Sequence, residues 1–186
     1  GGRKVAVVLN VNARKVDHET VGLMQSFVSA HDLFVSRRPE DGARIADEVV
    51  AQGYDAVLWG GGDGTFAAGV AALVESAERR GVKMPDVGVL PFGTGNAVAW
   101  SVGANSLSRA SIAGNLNRAR AGSARRRLQL LNVEGQPTIF CGFGLDAQVL
   151  DDLGKTVGVL RKVGLAQTFR SAGLRYCLSV ASRSIP

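Results

Sequence analysis

Two glycine-dense stretches hold the residues best able to do chemistry. The first, Gly60-Gly61-Gly62-Asp63-Gly64-Thr65, follows the short apolar run Ala56–Trp59, and a helix-like apolar pattern resumes at Phe66. A strand that breaks into consecutive glycines and then opens a helix turns tightly and aims several backbone N–H groups at one point. The positive end of the helix dipole lies behind them. Such a nest fits polyphosphate, and a carboxylate inside it, Asp63, has the chemistry to hold Mg²⁺ or to work on a proton. A plainer reading makes this a glycine-rich strand-to-helix turn with Asp63 as helix cap. The second stretch, Pro91-Phe92-Gly93-Thr94-Gly95-Asn96, follows the apolar run Val87–Leu90. Thr65 and Thr94 add hydroxyls, and Asn10 and Asn96 add amides suited to phosphate or ribose, although a turn or cap is the default role for an Asn such as Asn96.

These groups need a scaffold, and the hydrophobic pattern supplies one. Strands are expected at Lys4–Leu9, Leu33–Val35, Ala56–Trp59 and Val87–Leu90. Helices are expected after Asp17, over Glu40–Ala51 and over Phe66–Arg80, the last ending at Gly81. Near-continuously apolar strands alternating with helices indicate an α/β domain with a parallel sheet covered on both faces. Ligands in such sheets sit beyond the carboxyl ends of the strands, so Asn10 and both glycine loops are expected on one rim. The pattern then changes: a basic helix over Ser106–Ala121 leads into a β-hairpin turning at Glu134-Gly135, followed by Gly142-Phe143-Gly144-Leu145-Asp146 and by basic helix-like segments from Asp151. The expected partition is a complete first domain over 1–124 and the beginning of a second, β-rich one over 125–186.

The formal charge of +6 is unevenly placed: residues 1–100 carry a net −2 and residues 101–186 a net +8. A basic C-terminal part suits an anionic partner, either phosphates or an acidic lipid surface reached by peripheral contact with a membrane. Nucleic acid ranks last, because no aromatic residues interleave with the charges. Cys141 and Cys177 have no metal-ligand spacing and read as reduced and buried, which suits the cytoplasm. No apolar run reaches the length of a membrane span. The composition is equally compatible with a monomer and a homodimer.

GGGDGT at 60–65, PFGTGNAVA at 91–99 and GFGLDA at 142–147 occur together, and in combination they resemble the diacylglycerol kinase catalytic family. That family includes bacterial lipid kinases, sphingosine kinases and ceramide kinases. The resemblance implies a nucleotide-binding domain like that of phosphofructokinases and NAD kinases, followed by a mostly β lipid-binding domain, with ATP and Mg²⁺ in the cleft between. It also implies a nucleotide site made of Asn10, Ser36, Gly61, Gly62, Asp63, Gly64, Thr65, Gly93, Thr94, Gly95 and Asn96. In the sphingosine-kinase branch the Asp of the first loop serves as general base, a role that would fall on Asp63. In bacterial members the proposed base lies late in the second domain, past Pro186.

The chain departs from the family pattern at several positions. Ala68 and Ala97 stand where a Glu and an Asp are common, the first loop reads NVNARKV without the usual Pro and Gly, and Arg127 or Leu128 replaces an Asp. The expected activity is transfer of the γ-phosphate of ATP to a lipid hydroxyl of diacylglycerol or sphingosine type. The alternatives are an inactive nucleotide-binding regulator of the same fold and an NAD kinase-like enzyme.

Overall fold

The computed structural model describes residues 2–141, with those through Ile139 forming one compact unit and those from Phe140 belonging to another. GFGLDA at 142–147, Cys177 and the basic segments after Asp151 lie outside the described residues.

Four strands, β1 (Val5–Asn10), β2 (Leu33–Ser36), β3 (Ala56–Gly61) and β4 (Asp86–Pro91), form a parallel sheet in the order β2-β1-β3-β4. Five helices accompany them: α1 (His18–Gln25), α2 (Pro39–Ala51), α3 (Asp63–Arg80), α4 (Ala97–Ser101) and α5 (Arg109–Ala121). Successive strand residues face opposite sides, so one strand feeds two cores. Ala6, Val8, Val57 and Trp59 meet Ile45, Val49, Val70 and Leu73 of α2 and α3. Val5, Val7, Leu9, Leu58 and Leu90 meet Met24 of α1 and Ile112 and Leu116 of α5. This two-sided burial explains why the strands read as unbroken apolar runs.

Helix α3 comes close to the sheet at Gly69, where an added Cβ would run into the indole of Trp59. That indole is 1% exposed and its Nε1 has no hydrogen-bond partner among the described residues. Glycine at this position of α3 lets the largest side chain of the core lie flat beneath the helix.

Local chemistry fixes the ends of the elements. The Asp17 carboxylate accepts from Thr20 N at 2.8 Å and opens α1. The Asp41 carboxylate accepts from the backbone of Arg37 and Arg38 and, with Pro39, starts α2. After α5, a hairpin of β5 (Leu131–Val133) and β6 (Gln136–Thr138) turns at Glu134 and Gly135, both at positive φ, as a tight two-residue turn demands. Leu130 and Ile139, on either side of it, pack against the α2/α3 core. Cys141 is free and partly exposed, not buried as the sequence suggested.

Two ion clusters tie the layers. Asp47 of α2 accepts from Ser76, Arg79 and Arg80 of α3. At the foot of the sheet Asp86 pairs with Arg3 and Arg125, and Arg3 also donates to the carbonyls of Asp55 and Ala119. Burial acts to raise Asp86, but the hydrogen bonds from Arg125 and Arg3 outweigh it and hold the carboxyl below its ordinary value. Hydrogen bonds from Arg80, Ser76 and Arg79 hold Asp47 far below the usual carboxylate range. Because these folded-state values are depressed, their stabilisation is complete above the unfolded carboxylate pKa of about 3.9 and is lost as pH falls below it. The urea midpoint is therefore expected to drop steeply between pH 5 and pH 2, and Asp47→Asn to flatten that acid limb while lowering the midpoint at neutral pH.

Candidate active site

Strand order marks a candidate site. β1 is followed by β2 on one side and neighbours β3 on the other, so the chain diverges between the carboxyl ends of β1 and β3, where ligands in open sheets collect. The register puts Asn10 opposite Ser36 and Gly61 opposite Pro91, so the ends of all four strands form one rim.

The two glycine loops meet on this rim with no side chain between them. Gly93 N donates to Gly61 O at 2.9 Å, and a Cβ on Gly93 would overlap the Cα of Gly62. A Cβ on Gly61 would come within 2.6 Å of the Thr65 side chain. Gly64 is different. It is exposed, its φ is not positive, and a Cβ there would meet no atom of the described residues within 4 Å. Neither packing nor backbone conformation requires glycine at position 64.

Helix α3 begins three residues earlier than the apolar pattern suggested, with Gly62 as its N-cap and Asp63 as its first residue. Its first intrahelical bond to a loop carbonyl runs from Phe66 N to Gly62 O. The amides of Asp63, Gly64 and Thr65 thus form the unpaired first turn of an 18-residue helix and point out of its N-terminus. Thr94 and Gly95 lie exposed on the facing loop.

Asp63 does not cap its own helix. Its Oδ2 accepts from Ala97 N at 2.9 Å and its Oδ1 from Val98 N at 3.0 Å, so it caps the five-residue α4 that follows the other loop. Sequence reasoning missed α4, and with it this bond between loops 34 residues apart. The asparagines are also spoken for. Asn96, 5% exposed and at φ 56°, closes a ring on Gly93, accepting from its N–H at 3.0 Å and donating to its carbonyl at 2.8 Å. Asn10 donates to Thr65 Oγ1 at 2.9 Å and accepts from Asn12 N at 2.9 Å. Ser36 donates to Arg38 O at 3.3 Å. The rim therefore brings together all the expected residues, but the amide and carboxylate side chains shape the loops, while the first-turn amides of α3 have no intrahelical partner and Thr94 lies exposed.

The first loop adds residues the sequence reading passed over. Asn12 donates to Arg37 O at 2.7 Å, and Lys15 N donates to Phe92 O at 3.0 Å, which seats the loop after β1 beside the second glycine loop. Arg14 and Lys15 bring positive charge to a rim suited to anions, and a basic pair just past a strand end was the available signal. Among the described residues, no three His, Cys, Asp or Glu side chains converge into a metal cage.

The fold is an α/β domain with paired glycine loops beyond the ends of a parallel sheet. Residues 4–127 match the model of the diacylglycerol kinase catalytic domain. The chain belongs to that family. It is 33% identical over 118 residues to a probable lipid kinase YegS-like protein of Citrobacter koseri, an alignment covering 59% of this chain and 38% of the relative. A YegS-like relative in Klebsiella pneumoniae is 46% identical over 63 residues, which cover 34% of this chain and 20% of the relative. Among solved structures, a diacylglycerol kinase from Bacillus anthracis is similar at 22% identity and a TM-score of 0.45, with 60% of this chain and 40% of that one covered. The chain thus spans well under half the length of these relatives.

If Asp63 is the clasp between the loops, Asp63→Ala frees the first amides of α4. Hydrogen exchange at Ala97 and Val98 is expected to accelerate at least about tenfold, the effect of losing roughly 1.5 kcal/mol of charge-assisted bonding, while core amides of β1 and β3 stay protected.

Proposed function

We propose that this chain carries the ATP-binding part of a lipid kinase that transfers the γ-phosphate to a lipid hydroxyl of diacylglycerol or sphingosine type. In this reading residues 1–124 bind the nucleotide and 125–186 begin the lipid-binding domain. The observation that carries it is Gly64. A glycine that no described residue requires sits in the first turn of a helix, beside unpaired amides and two threonines, on the rim where a polyphosphate would lie against backbone.

Each part of the rim then has a task. The amides of Gly64 and Thr65 and the facing loop at Thr94 and Gly95 hold phosphate oxygens, and Asn10 fixes the Thr65 hydroxyl in place. Arg14 and Lys15 compensate the charge, and Ser36 marks the nucleoside end. Rate acceleration in phosphoryl transfer comes chiefly from such positioning and charge compensation. The donor set fits Mg²⁺ that keeps most of its shell as water and phosphate, since each Asp63 oxygen accepts only one N–H. Asp63 is the residue that would hold it, and the ion would supply charge neutralisation at the phosphates. Asp63 also accepts the hydroxyl proton as the lipid attacks, helping most when that proton leaves late.

A second reading, a nucleotide-binding regulator without turnover, is favoured by one observation: both Asp63 oxygens already serve α4. Two variants separate the possibilities. Gly64→Val is expected to melt close to the parent, since its side chain enters open space, yet to lose ATP binding by calorimetry. Parent-like affinity would remove the site. Asp63→Asn in the full-length protein is expected to cut lipid phosphorylation at least about 100-fold, the lower end for a general base. ATP binding with no transfer by the parent itself would establish the regulator.

A further inference from the structure

A run of hydrogen bonds through two asparagines connects the end of β2 to the first turn of α3. Asn12 Nδ2 donates to Arg37 O at 2.7 Å, and Asn12 N donates to Asn10 Oδ1 at 2.9 Å. Asn10 Nδ2 in turn donates to Thr65 Oγ1 at 2.9 Å. Chemistry fixes the direction of the last two bonds. A backbone N–H can only donate, so the Asn10 amide turns its oxygen to Asn12 and its nitrogen to Thr65. Asn12 stands in the loop that departs from the family pattern, and its own side chain is what ties that loop to the strand next door.

Thr65 is left with a proton and no acceptor for it. A helical threonine commonly donates to the carbonyl four residues back. Here that carbonyl is Gly61 O, which already accepts from Gly93 N at 2.9 Å across the two loops. Among the described residues no other group takes the Thr65 proton, and the side chain is only partly buried. It lies in the first turn of α3, where the amides of residues 63–65 have no intrahelical partner. A hydroxyl oxygen that already accepts a bond has its proton to give, which suits an oxyanion.

We propose that Asn12 and Asn10 are positioning residues that act through Thr65, presenting its hydroxyl as a donor to a phosphate oxygen without touching the ligand themselves. The inference rests on the nucleotide-binding reading and deepens it: Asn10, expected from the resemblance to contact nucleotide, works one bond further back.

Calorimetry with ATP and Mg²⁺ on the full-length protein tests this through double-mutant cycles. Thr65→Val keeps the shape and removes the hydroxyl, and affinity is expected to fall about tenfold, as for a hydrogen bond to a charged group. Thr65→Ser should restore most of it. Asn10→Ala and Asn12→Ala are each expected to weaken ATP binding by about fivefold or more in the parent. In the Thr65→Val background neither should cost anything further, because the proton they direct is gone. A residue that met the ligand itself, or that merely braced the loop, would lower affinity in both backgrounds. Should Asn10→Ala fail to fold, the exposed Asn12 completes the same cycle with Thr65. Additive losses, or parent-like affinity in Thr65→Val, would overturn the inference alone. A parent that binds no ATP would overturn the nucleotide reading and this inference with it.

Discussion

Everything on the rim depends on two backbones touching where side chains normally intervene. Gly62 and Gly93 lie in van der Waals contact, and Gly93 N reaches across to Gly61 O. Loops from adjacent strands rarely approach this closely, because Cβ atoms hold them apart. Here the approach is held from both sides by hydrogen bonds. The Asn96 amide rings Gly93, and the Asp63 carboxylate takes the first two amides of α4. The result is one preorganised surface instead of two mobile loops, and preorganisation is what electrostatic stabilisation of a transferring phosphoryl group requires.

Side chains and backbone have thereby divided the labour. The groups with the richest hydrogen-bonding capacity, Asn10, Asn96 and Asp63, spend it inside the protein. What remains is the unpaired first turn of α3, flanked by the exposed Thr94 and the basic first loop. Backbone amides and cationic side chains suit an anionic group better than they suit a flat heterocycle.

The sheet and its main helices were legible because both faces of every strand are covered, which forces apolar residues at nearly every position from Val5 to Leu9 and from Ala56 to Trp59. The glycine loops were legible for the same local reason: sharp turns and close approaches leave glycine in the sequence. What escaped detection was non-local. Helix α4, AVAWS, is too short to show a period, and its cap comes from a residue 34 positions earlier. The internal bonds of Asn10 and Asn96 could not be read from the sequence, because an amide's type does not disclose which neighbouring peptide it meets. The start of α3 was misjudged because a glycine-rich first turn lacks the apolar spacing by which helices are recognised.

The glycines of GGGDGT look uniform in the sequence, but they answer to different masters. Gly60 and Gly61 are held by Leu9 and Thr65, whereas Gly64 has no neighbour to satisfy. Drift should therefore act on them unequally. In a protein of this fold that bound nothing at the rim, close packing would still favour glycine at 60 and 61, whereas position 64 meets no constraint from the described residues. Glycine kept at 60 and 61 with variation at 64 is thus the pattern that packing alone would leave behind.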